Sequence, residues 1–227
     1  NYVHSDVYIK EEKALLKEIE SSAKKHRNSP KQVFMSFLTD PYSHFNNKTK
    51  LTRRVLEILL HYQIPVSILS KGGYNVLQDI DIIKMFGENI QVGGSLAFTN
   101  DEDALKWEKN GALPKERFGA LKELHDYGVR TWASMEPVIY PEQSLEIIEI
   151  TKDYVDAYKI GKLNHFPKRE KQFDWTKFLN DSIKIMRKNK KEFYIKNDLA
   201  EYANELTLMT KNERDMDYLA ISNTFVK

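Results

Sequence analysis

The stretch Val33-Phe-Met-Ser-Phe-Leu-Thr-Asp-Pro-Tyr42 decides the fold class, because it is an apolar run that ends abruptly in polar residues. Five later segments have the same design: an apolar, β-branched run, functional side chains at its carboxyl end, and then a helical pattern. Parallel strands need helical crossovers between them, so this alternation predicts an α/β layer or barrel. In such folds the chemistry gathers at the carboxyl ends of the strands, and candidate residues are sought there.

The predicted elements favour a partial (β/α)6 TIM-like barrel of parallel strands. A doubly wound nucleotide-binding sheet would show a glycine-rich turn after its first strand, and Gly72-Gly73 and Gly93-Gly94 do not have that spacing. Because the chain opens with a helix, the first visible strand is expected to leave an open edge, which proteins usually cover. Either an upstream segment supplies a strand, or the barrel is incomplete by design.

The predicted strands are about 32–39, 66–71, 90–98, 131–139, 155–161 and 193–198. The predicted helices are 10–25, 51–62, 72–87, 117–127, 142–154 and 175–190, and 99–115 is predicted to be a polar loop.

Composition limits the class of protein. With 227 residues, 41% of them hydrophobic, the chain is long enough for one domain, with a barrel core at 1–199 and a C-terminal extension at 200–227. The net charge of +2 neither favours nor excludes a polyanionic partner. The sequence contains no cysteine, which excludes disulfides and any thiolate metal or iron–sulfur site formed by this chain alone. No apolar run is long enough for a transmembrane helix and no signal peptide is recognised, so we expect a cytoplasmic protein with no membrane partner.

Six short motifs resemble those of radical S-adenosylmethionine proteins of the spore photoproduct lyase-like group. The similarity spans roughly residues 8–200 in the right order; each motif alone is weak, and six in register are fairly specific. The motifs are Phe37-Leu-Thr-Asp-Pro-Tyr42, Val66-Ser-Ile-Leu-Ser-Lys71, Ser95-Leu-Ala-Phe98, Ala120-Leu-Lys-Glu-Leu-His125, Trp132-Ala-Ser-Met-Glu-Pro137 and Lys159-Ile-Gly-Lys162.

The resemblance implies a fold, two cofactors and an activity. Members of the group fold as a partial (β/α)6 barrel whose first strand leads into a CxxxCxxC loop, and the three thiolates of that loop hold a [4Fe–4S] cluster. By this analogy the first strand and the cluster loop lie upstream of Asn1, which would account for the open edge and the missing cysteines. The full-length protein is then expected to be an enzyme that reductively cleaves S-adenosylmethionine to start hydrogen abstraction from a substrate that the sequence does not identify. This chain alone lacks the cluster cysteines, and its catalytic residues are not identified.

Five residues at the ends of predicted strands match the motifs of the group and are expected to bind S-adenosylmethionine. Asp40 would accept hydrogen bonds from the ammonium or the ribose, with Thr39 assisting. Lys71 would donate to the carboxylate or the ribose, with Ser95 as a neutral donor nearby. Glu136 would be a second polar anchor at the border of the adenine. We expect all five to line one continuous polar cavity.

Plainer interpretations apply to the same residues. Asp40 also fits a strand-to-loop turn in which its carboxylate accepts local backbone N–H groups, and Lys71 also fits a solvated loop lysine. Glu136 ends a strand that is expected to be buried, so its carboxylate needs either a function or an ion-pair partner. Spore photoproduct lyases place a hydrogen-donating cysteine where this chain has Leu38, so repair of thymine lesions is not expected.

Two other functions remain open at this stage. His44 and His165 follow predicted strands and, with Asp40, Glu136 and Asp198, suggest a metal-dependent barrel hydrolase or isomerase, although no two of them have a tight ligand spacing. The second of these functions is that of a degenerate barrel that binds S-adenosylmethionine without catalysing a reaction.

The substrate side is less defined. The basic stretches 162–171 and 184–191 would suit a phosphate-bearing substrate, but a solvated helix face explains the second equally well. Nucleic acid is neither favoured nor excluded, and the sequence does not indicate an oligomeric state.

Overall fold

The core of the protein is one six-stranded sheet, all parallel, in which the strand order follows the chain. A computed structural model describes residues 11–27, 29, 31–36, 39–204 and 209–214. Among these residues no pairing joins the last strand to the first, so the sheet is not closed. The predicted partial (β/α)6 barrel is confirmed. The strands are β1 (Val33–Met35), β2 (Val66–Ser70), β3 (Ile90–Ser95), β4 (Arg130–Met135), β5 (Ala157–Ile160) and β6 (Glu192–Ile195).

Helices lead from the end of each strand to the start of the next. Among the described residues, no helix is both long enough and apolar enough to cross a bilayer. The α-helices are α1 (Glu12–His26), α2 (His44–Thr49), α3 (Leu51–His61), α4 (Ile80–Met85), α5 (Asp101–Trp107), α6 (Pro114–Asp126), α7 (Pro141–Thr151), α8 (Pro167–Glu170), α9 (Trp175–Lys188), α10 (Asn197–Ala200) and α11 (Lys211–Arg214). Two 3₁₀ helices span Gly73–Asp79 and Gly87–Asn89.

Local sequence signals explain where several helices begin. Pro114 and Pro141 occupy the first turns of α6 and α7, where the fixed φ of proline suits a helix and its missing N–H is not needed. The side chains of Asn100 and Asp174 each accept a hydrogen bond of 2.9 Å from a backbone N–H three residues on, which caps α5 and α9. These caps fix where the loops that leave the sheet turn into helices.

The outer face of the sheet is covered by helices. Gly94 of β3 lies against α6, since a Cβ added there would be 3.0 Å from Cδ1 of Leu121. Tyr158 of β5 is fully buried, and its hydroxyl oxygen lies 2.8 Å from Oγ1 of Thr151 in α7. Alternate residues of each strand therefore build the hydrophobic core on this side.

The inner, concave face carries polar side chains, which the apolar appearance of the strands did not predict. Near its base, Nε2 of Gln91 donates to Oγ of Ser67 on the neighbouring strand at 3.0 Å. Above this pair Trp132 lies across Gly93, because a Cβ on Gly93 would be 2.3 Å from Cε2 of the indole. The indole Nε1 donates to the carbonyl oxygen of Ile68 at 3.2 Å. The indole ring of Trp132 therefore covers the middle of the inner face, and polar side chains lie on both sides of the ring along the strands.

Some predicted boundaries are wrong. β1 ends at Met35 and β3 at Ser95, before the predicted ends at 39 and 98. The region 99–115, predicted to be a loop, contains α5, which is stabilised by its cap and by three acidic residues in its first turn. The short helices α2, α8 and α10 were not predicted either. Leu38 lies outside the described residues.

The predicted C-terminal extension is described only in part. Its short helix α11 contacts β6. Arg187 of α9 donates to both carboxylate oxygens of Glu213 at 2.7 Å, which ties this helix to the barrel. The division into a core at 1–199 and an extension at 200–227 stays a prediction.

Candidate functional site

An open cavity of about 820 Å³ lies at the carboxyl ends of β1 and β2. Its walls include the turn after β1 (39–46) and the segment 107–112, which follows α5. Thr39, Asp40 and Lys71, three of the five predicted cofactor-binding residues, lie on these walls. Small-molecule sites in proteins have volumes of roughly 300–1,000 Å³, so this cavity is large enough for a nucleoside-sized ligand.

Asp40 connects the ends of β1 and β2. Its Oδ1 accepts hydrogen bonds from the backbone N–H of Tyr42 at 2.8 Å and from Oγ of Ser70 at 2.7 Å. Its Oδ2 accepts the backbone N–H of Lys71 at 2.5 Å. The plain turn interpretation of Asp40 is therefore confirmed, and its binding of a ligand ammonium or ribose stays a prediction.

Lys71 belongs to a chain of charged groups that the sequence did not reveal. Its Nζ lies 2.6 Å from Oε1 of Glu108, and the other oxygen of that carboxylate lies 2.6 Å from Nη1 of Arg117. The guanidinium, only 4% exposed, also donates to the carbonyl oxygens of Ser95 and Ala112 at 2.7 Å. These linked charges hold the segment 107–112 in place as a wall of the cavity. Arg117 lies four residues before the buried Leu121, so both side chains are on the same face of α6. A cation on that apolar face was the signal in the sequence that could have predicted a buried ion pair.

Besides the hydroxyl of Tyr42, two buried nitrogen donors on the cavity wall have no hydrogen-bond partner within the described part of the chain. One is Nδ2 of Asn46, whose side chain is 4% exposed and whose Oδ1 accepts the backbone N–H of Thr52 at 2.8 Å. The other is the indole Nε1 of Trp107. Buried polar groups are normally hydrogen-bonded, so both positions suit oxygen atoms of a ligand or water.

Beneath the cavity, two ionisable groups are shielded from solvent. Burial raises the pKa of Tyr42 well above its ordinary value, and the negative charge of Asp79 raises it further. Burial likewise raises the pKa of Asp79, which the neighbouring hydroxyl of Tyr42 and the charge of Arg53 oppose. Arg53 Nη1 lies 3.6 Å from Asp79 Oδ1. Tyr42 therefore stays protonated at neutral pH and supports the wall of the cavity.

Ser95 and Glu136 do not line this cavity, so the prediction of one cavity lined by all five residues is wrong. Both lie at the carboxyl end of the inner face, at the ends of β3 and β4. The carboxylate of Glu136 is ion-paired: Oε2 lies 2.7 Å from Nζ of Lys159, and Oε1 binds Nζ of Lys196. The hydrogen bond that Lys196 donates to Glu136 raises the pKa of Lys196, so that this lysine is charged at neutral pH. The expected ion-paired role of Glu136 is present, with partners from the next two strands.

The histidines do not form a metal site with these carboxylates. Within the described ranges no three His, Asp or Glu side chains come together in a way that could hold a metal ion. His44 and His165 are exposed, while Asp40 and Glu136 are engaged as above and Asp198 accepts a hydrogen bond of 2.5 Å from an asparagine side chain. The described structure gives the metal-dependent hydrolase no support.

Trp107, at the end of α5, packs against the loop that follows β5. Its ring contacts Phe166, with the ring centroids 5.7 Å apart. The guanidinium of Arg169 lies 4.2 Å from the ring centroid of Tyr140 and 5.5 Å from that of Trp107. Such cation–π contacts stabilise by roughly 0.5–2 kcal/mol each. The loop after β5 is therefore packed against α5, and the two loops together roof this side of the sheet.

Comparison with known proteins bears on this arrangement. No protein-family profile matches the chain. An uncharacterized protein of Methanocaldococcus jannaschii is 32% identical over 149 residues, which are 64% of this chain and 56% of that protein. SuiB of Streptococcus suis bound to S-adenosylmethionine superposes with a TM-score of 0.63 at 13% identity, over 89% of this chain and 48% of SuiB. SuiB bound to its precursor peptide SuiA gives a TM-score of 0.62 at 11% identity, over 91% and 48%.

The chain shares the fold of SuiB over about nine-tenths of its length, and membership of the radical S-adenosylmethionine superfamily stays a prediction. At 11% and 13% identity the likeness shows the fold alone, and the spore photoproduct lyase-like group stays a prediction. The chain spans about half the length of the proteins it resembles. The S-adenosylmethionine in that structure is a ligand of SuiB.

Proposed function

We propose that this chain is the S-adenosylmethionine-binding barrel of a radical S-adenosylmethionine enzyme. The observation that carries the proposal is the joint position of five residues, each predicted from its motif, at the carboxyl edge of an open parallel sheet. Three lie on the cavity and two on the adjoining inner face. The fold it shares with SuiB, which binds S-adenosylmethionine, supports the same conclusion.

The residues present fit S-adenosylmethionine. The ligand has a charged amino-acid end and a nucleoside end, and β1 and β4 are three strand spacings apart, roughly 14 Å. Thr39, Asp40 and Lys71 would hold the amino-acid end or the ribose, and the unpartnered donor of Asn46 would bind one of its oxygens. Ser95 and Glu136 would lie toward the nucleoside. When bound, S-adenosylmethionine supplies the sulfonium whose cleavage starts hydrogen abstraction in this class of enzyme.

The residues present do not fit a [4Fe–4S] cluster. The sequence has no cysteine, and in the described part of the chain no group of His, Asp and Glu takes its place. We infer that the cluster ligands, and the spore photoproduct lyase-like CxxxCxxC segment, belong to the gene product outside these residues. A cytoplasmic location is part of the same proposal. The side chains of this chain bind and orient the nucleoside.

Calorimetric titration with S-adenosylmethionine tests the binding step on the protein and its variants. Lys71→Met removes a charge-assisted hydrogen bond worth about 1.5–3 kcal/mol, so affinity should fall at least about tenfold. Ser95→Ala removes a neutral hydrogen bond, and a loss of about three- to tenfold is expected. Lys184→Met and Ser22→Ala, at exposed positions on helices, are the matched controls and should leave affinity unchanged. Wild-type protein that binds no S-adenosylmethionine would refute the proposal.

The catalytic step needs the complete gene product. After anaerobic reconstitution with iron and sulfide, a reductant should produce 5′-deoxyadenosine, which is measured by chromatography. Binding of S-adenosylmethionine without this product would favour a non-catalytic binding barrel. Tight zinc or manganese in the purified protein, found by elemental analysis, would favour the hydrolase.

A further inference from the structure

Glu108 lies on the wall of the cavity, and its carboxylate contacts two cations. Its Oε1 is 2.6 Å from Nζ of Lys71, and its Oε2 accepts a hydrogen bond of 2.6 Å from Nη1 of Arg117. The side chain of Glu108 is 12% exposed and that of Lys71 is 46% exposed, and both residues line the cavity. A ligand in the cavity therefore meets a carboxylate and an ammonium side by side, while Arg117 is buried.

The surrounding backbone holds the carboxylate of Glu108 in place. The N–H of Ala112 donates to the carbonyl oxygen of Lys71 at 2.8 Å, and Nε of Arg117 donates to the carbonyl oxygen of Ala112 at 2.7 Å. Gly111 fits closely against the guanidinium, since a Cβ there would lie 2.3 Å from Nη2 of Arg117. Because this segment is fixed before a ligand arrives, binding to Glu108 costs little side-chain freedom.

Glu108 has more free acceptor capacity than Asp40, the carboxylate that the motif predicted for this cavity. A carboxylate has roughly four lone-pair sites that accept hydrogen bonds. Among the described residues, Asp40 uses three of them, on Ser70 and on two backbone N–H groups. Glu108 uses two, on Lys71 and Arg117. About two sites are therefore free on Glu108 and about one on Asp40, so a ligand ammonium with several N–H donors is better satisfied by Glu108.

We propose that Glu108 binds the α-ammonium of S-adenosylmethionine and that the adjacent Lys71 binds its α-carboxylate. The two charged groups of an α-amino acid are attached to the same carbon atom, and the two side chains that oppose them are 2.6 Å apart. The ion pair of Lys71 and Glu108 stays intact, because each group keeps unused hydrogen-bonding positions. Asp40 is then left for the ribose. This assignment rests on the proposed function, which places Asp40 and Lys71 at the amino-acid end or the ribose without distinguishing them.

The charges of the site suit a zwitterion. Lys71 and Arg117 are positive, and Glu108 and Asp40 are negative, so the charges of these contacting groups cancel. A ligand with only an anion or only a cation would bring an uncompensated charge into the half-buried wall. An α-amino acid group brings one charge of each sign, and each forms a charge-assisted hydrogen bond with the side chain of opposite charge.

Calorimetric titrations with S-adenosylmethionine and 5′-methylthioadenosine test the role of Glu108. The second ligand keeps the nucleoside and the sulfur but has no amino-acid group, so general damage to the cavity affects both ligands alike. Glu108→Gln removes the negative charge, and the amide oxygen still accepts a hydrogen bond from Arg117. The Kd for S-adenosylmethionine should rise at least about tenfold, as expected for a lost charge-assisted hydrogen bond, and the Kd for 5′-methylthioadenosine should stay unchanged. The matched control is Glu116→Gln, because Glu116 is exposed, lines the same cavity and loses the same charge, and neither Kd should change.

Decarboxylated S-adenosylmethionine, which keeps the ammonium and lacks the carboxylate, tests the role of Lys71. Lys71→Met changes a half-exposed side chain, so it does not depend on the stability of a variant in the buried ion pair. It should raise the Kd for S-adenosylmethionine at least about tenfold and leave the Kd for the decarboxylated ligand unchanged. Glu108→Gln should weaken both of these ligands, because both carry the ammonium.

Four results would overturn the assignment. They are an unchanged Kd for S-adenosylmethionine in Glu108→Gln, an equal rise of the Kd for 5′-methylthioadenosine in that variant, an equal effect of the Glu116 control, and an equal loss of both S-adenosylmethionine ligands in Lys71→Met. Failure of the proposed function is separate, because in that case the wild-type protein itself binds no S-adenosylmethionine.

Discussion

Replacement of Arg117 by methionine should destabilise the protein strongly, although this residue lies on the surface layer of helices. Its guanidinium loses hydrogen bonds to two carbonyl oxygens and one carboxylate, all between 2.6 and 2.7 Å. Removing one member of a buried ion pair costs about 3–5 kcal/mol. At about 2–4 °C per kcal/mol for a chain of this size, the Tm should fall by about 6–20 °C.

The partner carboxylate provides the internal check. In the double variant Arg117→Met with Glu108→Gln, no charge is left without its partner in the interior, so part of the lost stability should return. The expected coupling free energy from the double-mutant cycle is about 0.5–3 kcal/mol. Lys71 loses its partner as well, but it is 46% exposed and water replaces the ion pair.

Urea unfolding followed by circular dichroism measures each variant. The matched control is Lys122→Met on the same helix: Lys122 pairs with Asp126 at 2.7 Å in solvent, and such a pair contributes roughly 0.3–0.5 kcal/mol. An Arg117 variant as stable as the Lys122 variant would refute the structural reasoning. Additive effects of the Arg117 and Glu108 substitutions would refute their coupling.

Two further predictions concern the sheet and the C-terminal helix. Gly93→Ala should cost about 1–3 kcal/mol in urea unfolding, because its Cβ would meet the ring of Trp132. Gly94→Ala should be near neutral, because its Cβ meets the movable side chains of Leu121 and Leu96, and equal effects of the two substitutions would contradict the inner-face packing. The hydrogen bonds of Arg187 lower the pKa of Glu213 from 4.5 to about 2. The stability that they provide is therefore complete above about pH 4.5 and is lost as the pH falls toward 2. The stability difference between wild type and Arg187→Gln should shrink over that window, and a constant difference would contradict the assignment.

The alternation of strands and helices was readable from the sequence, because it depends on local signals. Apolar β-branched runs, proline at helix starts and glycine at helix ends act over a few residues, and each predicted strand is present with shifted ends. Helix α5 was missed because its acidic, capped sequence also resembles a polar loop. The candidate positions Thr39, Asp40, Lys71, Ser95 and Glu136 came from their motifs, and all follow or end a strand as predicted.

The sequence by itself determined the fold class, the position of the candidate polar residues at the carboxyl edge of the sheet, and the absence of thiolate ligands in this chain. Only the tertiary structure decided which of those polar groups meet. The partners of Glu136 come from β5 and from the residue after β6. The ion-pair partner of Lys71 is Glu108, which lies in the connection after β3 and is itself paired with Arg117 of α6. The physical reason is that curvature of the sheet and packing of the loops set the distances between strand ends, and no local pattern of residues encodes those distances.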